Sequence, residues 1–162
     1  MSLQPLQQWI CDTCGDLIQC PEDGWLEWIA TSKVKPHGFR VVHNAKSSPY
    51  SHTYEGCRHY EGVRGRKDMP FGRFVGPDGL GYITELLDWP DSMDTPDRVD
   101  NGTPGQHRHN IAELIRRLHI PHYEEARACW TVAEQDGYFR DGGGPWMYEQ
   151  RTLKEIIDRY GS

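Results

Sequence analysis

Nowhere does the 162-residue chain approach a run of about 18 apolar residues, the least that spans a bilayer as a helix, so a membrane span is excluded. Its first residues, Met1-Ser2-Leu3-Gln4-Pro5, lack both the cationic and the apolar region of a secretory leader, and the expected compartment is cytoplasmic. An even cysteine set is missing too. Five cysteines leave one unpaired, which together with the missing leader argues against a disulfide framework. Hydrophobic residues are scarce at 36%, and 17 Gly, 11 Pro and a mean hydropathy of −0.77 indicate a small core served by many loops. Six Trp, eight Tyr and four Phe are nevertheless too many aromatics for a disordered chain. No internal repeat of useful length occurs. The length suits a single domain over residues 1–162, able to bury roughly 70% of its extended surface without staples.

Punctuation splits that domain into a β-rich half, residues 1–75, and a helical half, residues 76–162. Turn signals at Pro21-Glu22-Asp23-Gly24, Pro36-His37-Gly38 and Ser47-Ser48-Pro49 separate short runs rich in Trp, Val and Ile. Strands are expected at Trp25 to Thr31 and Phe39 to His43, with weaker strand signals at Gln8 to Cys11 and Cys57 to Tyr60. From residue 78 the period turns helical. Asp78 can cap a helix carrying Leu80, Ile83, Leu86 and Leu87, and Asn110 can cap another carrying Ile111, Leu114, Ile115 and Leu118. Pro121 to Asp136 reads as a third helix with Tyr123, Ala126, Trp130 and Ala133 inward, and Thr152-Leu153-Lys154-Glu155 as the capping box of a last one. Cys129, among Ala126, Ala128 and Trp130, reads as a core thiol. Residues 89–109, with four Asp, three Pro and two Gly, read as a mobile surface loop. The fold class is therefore α+β: a small antiparallel β-sheet nodule followed by a layer of about four α-helices.

Charge is segregated along the chain. Residues 33–75 hold nine Lys and Arg against Glu55, Glu61 and Asp68, which is +6 inside a chain of net −6 and leaves −12 for the remainder. Aromatic side chains, Tyr54 and Tyr60 among them, alternate with these cations, the pattern by which single-stranded nucleic acid is stacked and neutralised. Arg58, Tyr60, Arg64, Arg66 and Lys67 are the candidate contacts for a nucleic acid, another polyanion or an acidic protein.

Cys11-Asp12-Thr13-Cys14-Gly15 is the most specific local signal. Two thiolates three positions apart, followed by glycine, can face one ion because the turn between them directs backbone N–H groups at the sulfurs and glycine relieves the tight exit. This knuckle resembles those of zinc ribbons, treble clefs and rubredoxin-like nodules, and the resemblance implies a zinc cofactor and a second ligand pair. Tetrahedral zinc takes four N or S ligands. Cys11, Cys14, His43 and Cys57 are the favoured set, since His43 ends an expected strand and Cys57 follows the Glu55-Gly56 turn. Cys20 and His59 are the alternatives. A redox dithiol would open a long helix, which Gly15 to Gly24, interrupted by Pro21, cannot form.

Phe39-Arg40-Val41-Val42-His43-Asn44 also resembles the strand end of HNH-type nucleases, which implies a metal-dependent alternative with His43 as general base. The C-x-x-C-H closure and the downstream Asn and His ligands of those enzymes are absent from the sequence. His107-Arg108-His109 and the pair His119 and His122 read as surface histidines, and the Asp residues at 91, 94, 97 and 100 as solvated charge without the Gly and terminal Glu of a calcium loop. The order of Trp9-to-Gly15, Phe39-to-His43, Phe74-to-Leu80 and Arg117-to-Pro121 is similar to that in uncharacterised small bacterial proteins, a resemblance that carries no functional residue with it. The expected function is a zinc-stabilised, non-catalytic binding module; a nuclease and a protein-interaction or regulatory factor are the alternatives.

Overall fold

A computed structural model describes residues 3–31, 34–52, 56–88, 106–140 and 143–161, and the described residues form five strands and five α-helices. Strands β1 (Trp9–Ile10) and β2 (Leu17–Ile18) form an antiparallel pair of their own. Strands β3 (Gly24–Thr31), β4 (Val34–His43) and β5 (Arg66–Pro70) form an antiparallel sheet in the order β4-β3-β5. The helices are α1 (Gly79–Leu87), α2 (Gln106–His119), α3 (Tyr123–Ala128), α4 (Trp130–Gln135) and α5 (Gln150–Tyr160). The architecture is α+β.

β3 is the central strand, and its alternation sets the main core. Leu26, Trp28 and Ala30 are buried on one face and pack with Val41, Phe71, Phe74, Ile83 and Leu86. α2 supplies Ile111, Leu114 and Leu118 to this cluster, the spacing of one helical stripe, and each such burial stabilises the fold by roughly 1.5–3 kcal/mol. On the other face of β3 stands Glu27, fully buried, whose Oε2 accepts the His59 N–H at 3.0 Å. That bond ties the turn after Cys57 to the sheet. A second, smaller cluster joins α3, α4 and α5 through Tyr123, Ala126, Cys129, Ala133, Leu153 and Ile156.

Several local expectations are corrected. Cys57 to Tyr60 is not a strand but a run of turns and bends, and the third strand of the sheet is Arg66–Pro70 from the basic stretch. Trp9–Ile10 pairs with Leu17–Ile18, not with the main sheet. α2 begins four residues before Asn110, because His107 is buried with its Nδ1 at the Pro36 carbonyl, a tertiary contact that extends the helix back and takes His107 off the surface. Of the segment read as a mobile loop, 89–105 lies outside the described residues and 106–109 is helical. The third helix starts at Tyr123, after His122 at φ +66°, and breaks at Cys129, whose N–H bonds to Ala126 at i−3. α5 starts at Gln150, so Thr152 is buried inside it instead of capping it. Asp78 does stand at the start of α1, but its side chain makes no capping bond. Among the described residues no helix is long and apolar enough to cross a membrane.

Candidate metal centre

Three separate pieces of backbone deliver four side chains to one point. The first is the turn between β1 and β2, where Cys11 N–H donates to the Asp16 carbonyl at 2.9 Å and Gly15 N–H to the Cys11 carbonyl at 3.0 Å. Gly15 takes φ +79°, a conformation that side-chain-bearing residues seldom adopt. Asp12 fastens this turn to β4: its N–H donates to the Val41 carbonyl at 2.8 Å, and its Oδ2 accepts the Val41 N–H at 2.7 Å. Two residues on, β4 ends at His43. The third piece is the turn carrying Cys57, preceded by Gly56 at φ +54°, where a Cβ would lie 3.2 Å from the Ser48 side chain.

The ligating atoms of Cys11, Cys14, His43 and Cys57 all lie within 4.8 Å of one another. His43 Nδ1 is 3.4 Å from Cys14 Sγ and 3.8 Å from Cys57 Sγ. A tetrahedron with metal–sulfur bonds of about 2.3 Å and a metal–nitrogen bond of about 2.0–2.1 Å has edges of about 3.5–3.8 Å, so these spacings suit one shared ion. Its other ring nitrogen, Nε2, lies 3.2 Å from the Leu17 carbonyl, a contact that directs Nδ1 inward when Nε2 carries the proton. Cys57 Sγ sits 3.1 Å from the Ser48 hydroxyl. Cys11, His43 and Cys57 are buried and Cys14 is half-buried. This three-cysteine, one-histidine group could hold a metal ion.

Electrostatics favours a cation here. Burial, reinforced by the neighbouring Cys11 and Cys57 thiols, pushes the Cys14 thiol up to about 12 despite an opposing backbone hydrogen bond from Asp16. Burial likewise raises Cys57, against the Ser48 hydroxyl that lowers it. Several thiolates converging in a desolvated space repel one another, and a divalent ion removes that repulsion by drawing the protons off.

A buried charge network continues from the knuckle into the helices. Arg117 of α2, 5% exposed, donates to Asp12 Oδ2 at 2.6 Å and to both oxygens of Glu124 at 2.8 Å. Burial alone would raise Glu124, but Arg117 and Arg127 overcome it and hold the carboxyl at about 2. Glu124 Oε1 also accepts the Ile10 N–H at 3.2 Å, and the Arg117 carbonyl accepts from Trp9 Nε1 at 3.2 Å. Sequence patterning does not isolate this network: Asp12 is a variable position of a C-x-x-C motif, and Arg117 and Glu124 are ordinary helical polar residues. Their signal is an apolar face interrupted by a buried charge.

The other candidate residues lie elsewhere. Cys20 Sγ donates to Asp23 Oδ2 at 3.3 Å, and His59 is exposed with its ring 4.9 Å from that of Tyr60; neither belongs to the converging group. His43 is 4% exposed, with Nδ1 among the sulfurs and Nε2 at the Leu17 carbonyl. In the basic stretch, Arg66 pairs with Glu61 and Asp68, and Arg58 lies 3.6 Å from Glu61. The Tyr60 hydroxyl donates to the Gly38 carbonyl at 2.8 Å, which ties this half-buried tyrosine to β4. Arg64 and Lys67 are exposed; Tyr54 lies outside the described residues. No family model, curated protein or solved structure matches the chain.

Proposed function

We propose that Cys11, Cys14, His43 and Cys57 bind one zinc ion in a structural role, and that the chain is a zinc-stabilised, non-catalytic binding module. The observation that carries this reading is the convergence of four N and S donors from three backbone segments. Thiolate and imidazole are the donors zinc takes in closed structural sites, whereas catalytic zinc keeps a position for water. Here the fourth place is taken by a protein ligand. The ion would fasten the knuckle, the end of β4 and the Cys57 turn to one another, a cross-link that the small hydrophobic content makes valuable. The purified chain is expected to carry one equivalent of zinc, and Cys14→Ser to lose both the metal and the folding of residues 1–75. Metal-free wild-type protein with the same melting temperature would contradict the reading.

The partner in this proposal is a polyanion, nucleic acid first, met by the exposed Arg64 and Lys67 within the +6 segment. Binding through several cations must weaken as salt is added, with a slope in log K of about 0.7 per phosphate on a single strand. Retention of the wild-type chain on oligonucleotide supports, lost progressively with salt and reduced by Arg64→Ala, is the expected result. Absence of any salt-sensitive retention would leave Lys67 as a charge guarding the open edge of β5 and move the proposal to an acidic-protein or regulatory partner.

A further inference from the structure

An open pocket of about 420 Å³ lies next to the metal centre, and its walls descend directly from two of the ligands. Asn44 follows His43 and Arg58 follows Cys57, and Glu22, Asp23, Trp25 and Lys46 stand around them. We propose that this pocket binds one nucleotide unit of a single-stranded nucleic acid, with the base against Trp25 and the phosphate on Lys46 and Arg58. The inference rests on the zinc-stabilised, polyanion-binding reading above and adds to it the ligand class and the place.

Four features converge on that ligand. Trp25 is half-buried: its backbone is paired with Val42 and Pro70 on the neighbouring strands and its side chain packs on the main core, so it is held in place with part of the residue left to solvent, as a stacking platform requires. Lys46 is exposed, and among the described residues the ion pair of half-buried Arg58 is a long 3.6 Å contact to Glu61, weak enough that both cations can turn to a phosphate. The floor is rigid. Asn44 donates through Nδ2 to the Glu22 carbonyl at 2.6 Å and accepts through Oδ1 from the Lys46 and Ser47 N–H groups at 2.9 Å, while Asp23 is occupied by the Ser47 hydroxyl and the Cys20 thiol. Finally, Glu22 is an exposed carboxylate at the rim. It would repel a bare anion but can accept from an exocyclic base amine, such as cytosine N4, so the mixture of acid, ring and cations suits a base joined to a phosphate better than phosphate alone.

The test uses the zinc-loaded full chain, its metal content assayed in every sample, titrated with a short oligo-dC strand, oligo-dT, cytidine monophosphate and inorganic polyphosphate. Saturable quenching of tryptophan fluorescence by oligo-dC is expected, with polyphosphate leaving it unchanged. Trp25→Ala should weaken oligo-dC binding roughly 5- to 150-fold, and Lys46→Ala, at an exposed loop position that does not threaten folding, should lower the salt slope by about 0.7. Glu22→Gln should reduce the preference for oligo-dC over oligo-dT. Zinc-loaded protein that gives no quenching, or oligonucleotide affinity unchanged in both Trp25→Ala and Lys46→Ala, overturns the pocket while leaving the zinc reading intact. Cytidine monophosphate binding as tightly as oligo-dC overturns the strand and makes the ligand a free nucleotide. Absence of zinc would instead strike the underlying reading.

Discussion

The two hydrophobic clusters of this chain are held by different means. The larger one, around β3, β4 and α2, contains large side chains that are fully buried, Trp9, Leu26, Phe71 and Ile83 among them, and it adjoins the four convergent donors. The smaller one, in α3, α4 and α5, buries fully only Leu153 and Ile156 among its large side chains, beside Ala126 and Ala133, and is closed by a rim of half-exposed aromatics. Trp130 stacks on Phe139 at 4.8 Å and faces Tyr148 at 6.4 Å, and Arg116 lies 4.3 Å over the Tyr148 ring. One region is thus organised around points distant in sequence, the other around neighbours on helices. What joins them is the Asp12–Arg117–Glu124 network, in which the knuckle that would carry the ion is also the acceptor for a helical arginine.

Loss of the metal should separate the two regions most. Chelation, or Cys57→Ser, should unfold the sheet region, since apparent binding energies of structural zinc, about 10–16 kcal/mol in small zinc modules, exceed the whole stability of most domains. Amide exchange should show protection lost first at β3 and β4 and later in α5, whose Leu153 and Ile156 belong to the other cluster. Next in size is Arg117→Ala, expected to cost up to about 3–5 kcal/mol because it removes the main partner of buried Glu124 and the 2.6 Å partner of half-buried Asp12, leaving both to the more exposed Arg127 at 3.3–3.4 Å. It should lower the melting temperature with zinc still bound, separating the joint between regions from the metal centre itself. Trp130→Ala should destabilise by less than the about 3–5 kcal/mol of a fully buried Trp, since its ring is only half-buried, and chiefly in the helical cluster. Smallest is Tyr60→Phe, about 0.5–1.5 kcal/mol for the bond to Gly38, measured by urea melts. An unchanged stability combined with weaker nucleic-acid retention would instead place Tyr60 on the binding surface.

Local signals made the helices readable but not their ends. The stripe Ile111, Leu114, Leu118 placed α2, whereas its start depended on His107 meeting Pro36, a contact across 71 positions that no window contains. β2 has two residues, and β5, Arg66-Lys67-Asp68-Met69-Pro70, is an edge strand with one large apolar side chain, so neither shows a period. The candidate centre was readable where spacing carries chemistry: Cys11 and Cys14 by the knuckle, His43 by its place at a strand end. Cys57 followed from donor type and a turn signal although its own segment is not a strand. The buried partners were not readable. Glu27, Arg117 and Glu124 look like solvent-facing charges in sequence, and only the fold shows that one holds the Cys57 turn and the others join the knuckle to the helices.

The central claim is that four side chains share one zinc ion. X-ray absorption at the zinc edge, on the 162-residue chain purified without added metal and quantified by elemental analysis, addresses it most directly. One zinc per chain is expected, with three sulfur neighbours at about 2.3 Å and one nitrogen neighbour at about 2.0–2.1 Å. The nitrogen signature should disappear in His43→Ala and persist in His59→Ala. A chain without stoichiometric metal, or a shell that keeps its nitrogen in His43→Ala, would contradict it.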